Sequence, residues 1–527
     1  MSPDQKLILL KTKGEKSFTL EILTAETRRR VATISSFNSQ LSLTWRPFAQ
    51  EIFFVADQLG DRNYRLFRWK FLLSNPEPVS TPPIHTAAPP MRWSPDGKCL
   101  ILYVGGEDDG QLLSLDWTKQ ASPRSQIIGE ARCDRDFEVS ETGTRLAWVH
   151  KDDFNEVDIA QVSNLSHRRF WKTEARLDLG GEVNDLAWSG DGLVLSTVRK
   201  ASDQFFSLFQ TSLQNKRTTK VVSKACDIVE PRALVRPYVA FGLSAAGINT
   251  LVLKNLSTGK ERTLAPDLDS AIVSVSPNGK RIVCLCSSVK QVPALVSFNI
   301  DSKFPTPIFR RTEPYEETKP TSVAPRNKEG VPVNTFVWKS GSKLVIFVHG
   351  GPHLCERPLM DARRQFLIDQ GFTCAVVNYR GSSGFGRTYE KEEDLRKQSE
   401  DVATVARWLQ NKLSIPPSSI TIVGESSGAS VAIEAAKSFP VGRLVLLSAV
   451  DLGELWPPTV PEPQILAFQG AEDPLTLPEE AKQRIVKVFG SSVFDRNDNS
   501  FNVMPNEGHQ FRSSGAWARV FAGIASD

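Results

Sequence analysis

One short pattern recurs along the first ~300 residues, and its spacing limits the folds open to the chain. The copies are "WRPFAQEIFFVAD" from Trp45, "WSPDGKCLILYVG" from Trp93, "VSETGTRLAWVHK" from Val139, "WSGDGLVLSTVRK" from Trp188 and "VSPNGKRIVCLCS" from Val275. Each is the end of a short strand, a turn rich in Ser, Pro, Asp and Gly, and an apolar strand. Pro presets φ in such turns and Gly accepts a positive φ. A further strand pattern follows each copy, as in "RLFRWKF" and "QLLSLDW". The last gap is about two periods long, and "VEPRALVRPYVAFGLS" from Val229 fills it as a degenerate copy. The chain opens "MSPDQKLILL", already at the turn. Units therefore start near residues 1, 45, 93, 139, 188, 229 and 275. A period in the mid-forties with about four strands per unit predicts a β-propeller of about seven blades. Helix-pair solenoids need a 3.6-residue period that is absent here. Separate small β-domains would need linkers, and the spacing is too even for them. The first blade is expected to be incomplete and to be partly closed by chain from beyond residue 300, because an open strand edge invites aggregation.

Composition narrows the function classes. Lys and Arg total 64 against 60 Asp and Glu, a formal charge of +4, with no basic tract beyond "TRRR" and "NKRTTK". That balance does not suggest a nucleic-acid partner. No run approaches the roughly 18 apolar residues of a membrane span, and the N-terminal apolar stretch is too short for a signal-peptide core. Seven scattered cysteines without a CxxC read as reduced thiols of a cytoplasmic protein. The six histidines show no zinc-ligand spacing, so neither a metal nor a cofactor is expected.

From about Asp301 the repeat gives way to a Pro-, Thr- and charge-rich connection, and a second domain is expected over 313–527 after a propeller over 1–312. Its strands are continuous apolar runs: "LVIFVH", "CAVVN", "ITIVG", "LVLLSA", "ILAF" and "FNVM". Such runs are buried on both faces, as in a parallel sheet. Amphipathic segments alternate with them, which predicts a doubly wound α/β domain. Within it, "ITIVGESSGASVAIEAA" carries Gly424-Glu425-Ser426-Ser427-Gly428 between a strand and a helix. This is the context of an α/β-hydrolase nucleophile elbow, which raises the serine hydroxyl above the sheet edge. A serine needs a base, and the base an orienter, in the chain order Ser, acid, His. His509 is the only histidine downstream of Ser426, and it follows the last strand. The acid comes from Glu472-Asp473 after "ILAFQG", with Asp473 favoured over Glu472. Oxyanion donors are expected from the Ser427 N–H and from Gly351 of His349-Gly350-Gly351-Pro352, which follows an early strand.

Taken together, His349-Gly-Gly-Pro352, "NYRGSSGFGR" (378–387), the Ser426 elbow, "QGAEDPL" and "EGHQF" resemble the prolyl oligopeptidase family of serine peptidases. Within it they are closest to acylaminoacyl-peptidase and dipeptidyl-peptidase-like members. The resemblance implies a propeller that covers the active site and admits short peptides. It also implies Ser426 as nucleophile, His509 as proton carrier, Asp473 as orienter, and Gly351 and Ser427 as oxyanion donors. The chain departs from the family at Ala429, where glycine is usual, and at Gln469, where histidine is usual. The segment between Ser426 and Asp473, near "AVDLGELWPPTVPEP", is also shorter, and the helix that precedes the family's propeller is missing from this reading. Trp456 lies in that shortened segment and is a candidate either for the substrate pocket or for plain packing.

Three functions fit these residues. The first is a cytoplasmic peptidase cutting short peptides or acyl-aminoacyl substrates through an acyl-enzyme. The second is an esterase, thioesterase or amidase acting on a small peptide-like metabolite with the same triad. The third is a silent binding module, which a complete triad argues against. An unclosed blade edge also invites pairing between copies.

Overall fold

The computed structural model describes every residue except 1, 3–5, 14–17, 25–26, 28, 38–41, 57–63, 74, 85–88, 106–109, 119–122, 131–136, 163–170, 191, 246, 267, 277–278, 289–290, 303, 310–317, 352, 360, 474, 512 and 526–527. The chain separates into two compact units. One comprises Met1–Ser244, Asn249–Cys286 and Pro293–Arg311; the other comprises Ala245–Ile248, Ser287–Val292 and Thr312–Asp527. The boundary expected at 312/313 falls among residues 310–317, outside the described residues.

Among the described residues the first unit is a β-propeller built from seven successive antiparallel sheets, six of four strands and a first of three. Every repeat copy marks the same place in its sheet. Trp45, Trp93, Val139, Trp188 and Val275 each end the first strand of a sheet, and Val229 lies in the first strand of another. In the copies from Trp93, Val139 and Val275 the turn that follows is held by the same bonds. The N–H groups of Ser94, Ser140 and Ser276 donate to the carbonyls of Cys99, Arg145 and Arg281 at 2.8–2.9 Å. Their Oγ atoms accept the N–H of those same three residues at 2.9–3.0 Å. Gly97, Gly143 and Gly279, three residues after each serine, take φ of 64–73°. Ser2 and Leu7 repeat both bonds at 2.9 Å, so the first sheet begins at the same hairpin.

Apolar side chains on both sheet faces join neighbours in series. Phe53 packs edge-on against Trp93 and Trp117 of the next sheet, with centroids 5.0 Å apart. A shared apolar cluster links each successive pair of sheets from the first to the seventh. The closing strand expected from beyond residue 300 is not found among the described residues. Thr321–Val323, the first strand after the propeller, pairs antiparallel with Asn334–Trp338 in the second unit. A local turn directs it there: Asn327 Oδ1 accepts the N–H groups of Glu329 and Val331 at 3.0 and 2.9 Å.

The second unit is an α/β domain on one eight-stranded sheet. Its elements, numbered within the unit, are β1 (Thr321–Val323), β2 (Asn334–Trp338), β3 (Lys343–Val348), α1 (Ala362–Asp369), β4 (Phe372–Asn378), α2 (Leu395–Leu413), β5 (Ile420–Glu425), α3 (Ser427–Ser438), β6 (Arg443–Leu447), β7 (Gln464–Gly470), α4 (Pro478–Phe489), β8 (Ser500–Met504) and α5 (Ser514–Ala525). The strand order is β1-β2-β4-β3-β5-β6-β7-β8. The strands from β4 to β8 are mutually parallel, and β2 joins β4 antiparallel. Alternate side chains feed opposite faces. Ile346 and Ile422 pack with α2, α3 and α4, whereas Val345 and Val423 pack with α1 and α5. Helices on both faces explain the unbroken apolar runs, and loops at the carboxyl ends of parallel strands are where such sheets place their sites.

Candidate active site

Ser426 is the residue between β5 and α3. Its backbone sits at φ 55°, ψ −126°, and its N–H donates to the Leu447 carbonyl at 2.8 Å. A non-glycine residue there is strained, and the strain persists because its surroundings determine it. Those surroundings need glycine on both sides. A Cβ on Gly424 would lie 2.5 Å from the Gly428 carbonyl oxygen. A Cβ on Gly428 would lie 2.4 Å from the carbonyl oxygens of both Val348 and His349. The first turn of α3 thus presses against the end of β3, and the Ser426 hydroxyl projects from the turn.

Two further loops converge on that hydroxyl. The carboxylate of Asp473 is an acceptor only, so the facing His509 nitrogen must carry the hydrogen. His509 Nδ1–H donates to Asp473 Oδ2 at 2.8 Å, and Ser426 Oγ–H donates to His509 Nε2 at 2.9 Å. Asp473 is 1% exposed. Its Oδ1 accepts the N–H groups of Leu475 and Thr476 at 2.8 and 3.3 Å. Glu472, its neighbour, is exposed. Gly470 and Gly508 let the acid and histidine loops meet, since a Cβ on Gly470 would come within 2.2 Å of the Gly508 carbonyl oxygen.

The loop after β3 lies beside the nucleophile. A Cβ on Gly350 would be 3.0 Å from Ser426 Cβ, and one on Gly351 would be 3.7 Å from Ser427 Oγ. Gly351 and Ser427 are therefore neighbours, with Gly350 nearer to Ser426. The Ser427 N–H opens α3 and has no acceptor within its own helix. Trp456 is placed elsewhere. It is buried in the core, tilted against Phe489 at 5.1 Å, and its Nε1–H donates to the Val460 carbonyl at 2.9 Å. This is the packing role, and Trp456 is absent from the group around Ser426.

Several supporting residues were not singled out from the sequence. Gln469, noted only as a departure, donates Nε2–H to Asp473 Oδ2 at 2.7 Å and to the Thr476 carbonyl at 2.9 Å, holding the carboxylate toward His509. Glu507, 2% exposed, accepts the Ser513 N–H at 2.9 Å and ties down the histidine loop. The 378–382 run has a structural meaning as well. Tyr379 OH donates to the His349 carbonyl at 2.8 Å, and the two rings stack at 4.7 Å. His349 Nε2 meets Ser382 Oγ at 2.8 Å, and burial pushes this imidazole below its ordinary value. Arg380 forks onto buried Asp401 with bonds of 3.0–3.2 Å from its Nε and Nη2. These contacts anchor the glycine loop from behind. Such a run was legible as a motif but not as a set of anchors, because its partners lie far away in sequence. Among the described residues no group of three or more His, Cys, Asp or Glu could hold a metal. No helix is long and apolar enough to cross a membrane among the described residues.

Residues 358–440 match the family model described as the prolyl oligopeptidase family. Acylamino-acid-releasing enzyme 1 of Oryza sativa subsp. japonica is 34% identical over 101 residues, 17% of this chain and 12% of that protein. Dipeptidyl aminopeptidase BIII of Pseudoxanthomonas mexicana is 30% identical over 88 residues, 16% of this chain and 13% of that protein. The matched parts thus span about an eighth of these relatives' own length. In three dimensions the likeness extends over the whole chain. A puromycin-hydrolyzing peptidase of Mycobacterium tuberculosis superposes with a TM-score of 0.78, at 16% identity, over 99% of this chain and 95% of that one. That likeness extends the propeller and α/β-hydrolase fold to essentially all of the chain.

Proposed function

We propose that this chain, a member of the prolyl oligopeptidase family through residues 358–440, is a serine peptidase that cleaves short peptides or acyl-aminoacyl substrates through an acyl-enzyme on Ser426. The observation that carries this reading is the unbroken chain Ser426 Oγ, His509, Asp473, at 2.9 and 2.8 Å, on a strained elbow. In the reaction, His509 Nε2 takes the Ser426 proton as Oγ attacks the scissile carbonyl. Asp473 holds the ring and stabilises the imidazolium. The developing oxyanion is received by the N–H groups of Ser427 and Gly351, aided by the positive end of α3. His509 returns its proton to the leaving amine, and water then releases the acyl group by the same steps. The propeller, assigned to residues 1–312, limits access to short chains, and residues 313–527 perform the chemistry. Scattered thiols, six of them free among the described residues, fit a cytoplasmic location.

An esterase, thioesterase or amidase is the second reading. It is favoured by the short segment between Ser426 and Asp473, where Trp456 packs into the core instead of lining a pocket. Matched N-acetyl-aminoacyl anilides, free-amine dipeptidyl anilides and simple acyl esters separate the two. Anilide turnover that Ser426→Ala abolishes is the expected result. Serine-dependent ester turnover with inert anilides would sink the peptidase reading in favour of the second.

A further inference from the structure

One strand position from the nucleophile, and wholly within the α/β unit, lies a cavity of about 50 Å3. Its wall includes Glu425, the residue before Ser426, and His349, the residue before the glycine loop. Glu356 and Trp517 complete the part that matters here. The cavity is charged as well as apolar, and its cations are already committed. Arg363 forks onto Asp361, with Nε–Oδ1 at 2.9 Å and Nη2–Oδ2 at 2.6 Å. Arg364 lies over the Trp338 ring at 3.8 Å and donates to the Leu359 carbonyl.

The carboxyls of Glu356 and Glu425 differ from these groups. Among the described residues neither accepts a hydrogen bond. Burial pushes both above the ordinary carboxylate range, with Arg363 acting against the shift at each and each carboxyl also feeling the negative charge of Asp361. Glu425 also feels the charge of His509, and it immediately precedes Ser426, whose Oγ–H donates to His509 Nε2. The backbone of Glu356 is pinned at both ends. Asn378 Oδ1 accepts its N–H at 2.7 Å, and Asn378 Nδ2 donates to its carbonyl at 3.1 Å. Both glutamates are half-buried, so a carboxyl held rigidly at the cavity wall without a protein donor is open to a donor that a ligand brings.

We infer that Glu425 and Glu356 form a subsite for a primary ammonium group of the substrate, held in this cavity while Ser426 attacks the neighbouring carbonyl. An ammonium is compact and carries three donors, which suits two carboxyls that lack them. Two sources share this chemistry: the free α-amine of an aminoacyl residue and the ε-amine of lysine. Only the choice of substrate rests on the peptidase reading; the subsite itself requires just a reactive Ser426.

The test therefore has two readouts. The first is the rate at which a fluorophosphonate labels Ser426, measured with n-butylammonium or n-butanol as competitor. Protection by the ammonium but not the alcohol, lost in Glu356→Gln and in Glu425→Gln, is expected. The second is the ratio of kcat/KM for alanyl anilide over N-acetylalanyl anilide. That ratio should fall at least about tenfold in either variant, as for loss of a charged hydrogen bond. N-acetyl-lysyl anilide then identifies the ε-amine as source if its turnover falls in parallel. Equal protection by butanol and butylammonium, or variants that change neither the alanyl ratio nor the turnover of N-acetyl-lysyl anilide, overturns the subsite. Inert anilides with intact ammonium protection would overturn the peptidase reading and leave the subsite standing.

Discussion

Serine and glycine meet in both units, and the two settings use them in opposite ways. In the propeller turns the serine is relaxed and the glycine carries the positive φ: Gly97, Gly143 and Gly279 turn the chain, while Ser94, Ser140 and Ser276 spend both their backbone and side-chain groups on the hairpin. In the elbow the serine itself carries the positive φ, and its hydroxyl is left for His509. Glycine is needed there for a different reason. Gly424 and Gly428 are where backbone meets backbone too closely for a Cβ. The first arrangement satisfies every group locally and can be copied from sheet to sheet. The second stores strain that only long-range packing can hold, and so it occurs where chemistry is done.

That contrast is most sharply tested at the elbow. Gly428→Ala puts a methyl 2.4 Å from two carbonyl oxygens. It should cost about 3 kcal/mol or more and remove activity altogether, read by thermal unfolding and anilide turnover together. A folded, active Gly428→Ala protein would mean that the elbow is not close-packed against β3. Next comes Asp473→Asn. It keeps the shape of the loop but offers His509 the wrong hydrogen-bond partner, so kcat should drop by about 10^4-fold with little change in Tm. A drop smaller than tenfold would remove Asp473 from the orienting role. A propeller turn gives the opposite profile. Ser140→Ala removes the acceptor of the Arg145 N–H. A cost of about 1 kcal/mol in stability is expected, with kcat/KM unchanged. Loss of activity out of proportion to stability there would break the distinction between the two kinds of turn.

Legibility in the sequence followed the same divide. The propeller was read from spacing, because each turn is local: serine, glycine and the strands they join lie within a few residues, and repetition supplied independent copies of the signal. The elbow was read from a local motif, and the fold's chain order then pointed to Asp473 and His509. What stayed hidden depends on distant partners. Gln469 looked like a departure until its amide was seen on Asp473. The 378–382 run looked like a signature until Tyr379 and Ser382 were seen holding His349. Trp456 was open between pocket and packing, and the ring it lies against, Phe489, is more than thirty residues on. The expected closing strand has no match among the described residues, where the Asn327 turn leads Thr321–Val323 to a partner in the second unit.

Buried carboxylates divide between the units as the serines do, and this yields the smallest expected effect. In the propeller, burial would raise Glu51, but hydrogen bonds from Arg68 and Arg46 outweigh it and hold the carboxyl below its ordinary value. In the α/β unit, burial raises Glu356, and the charges of Arg364 and Arg363 do not cancel it. The two therefore contribute to stability with opposite signs. Glu51, with a lowered folded value, stabilises above the unfolded carboxyl pKa of about 4.3 and loses that contribution as pH falls through its folded value. Glu356 costs nothing below about 4.3, where both states are protonated. It destabilises as pH rises through its folded value, because the unfolded chain ionises more readily. Glutamine cannot ionise, so each substitution removes one of these terms. Relative to the native chain, Glu356→Gln should gain Tm as pH rises from 4 to 8, whereas Glu51→Gln should lose Tm as pH rises from below the folded Glu51 value to just above about 4.3, with little further change up to pH 8. Asp361, Glu425, Arg363 and Arg364 around Glu356 are common to both proteins and drop out of the difference to first order. Parallel Tm differences that do not vary with pH would show that neither carboxyl titrates differently on folding. A gain at Glu356 that disappears on adding butylammonium would tie its cost to the donor that the cavity lacks.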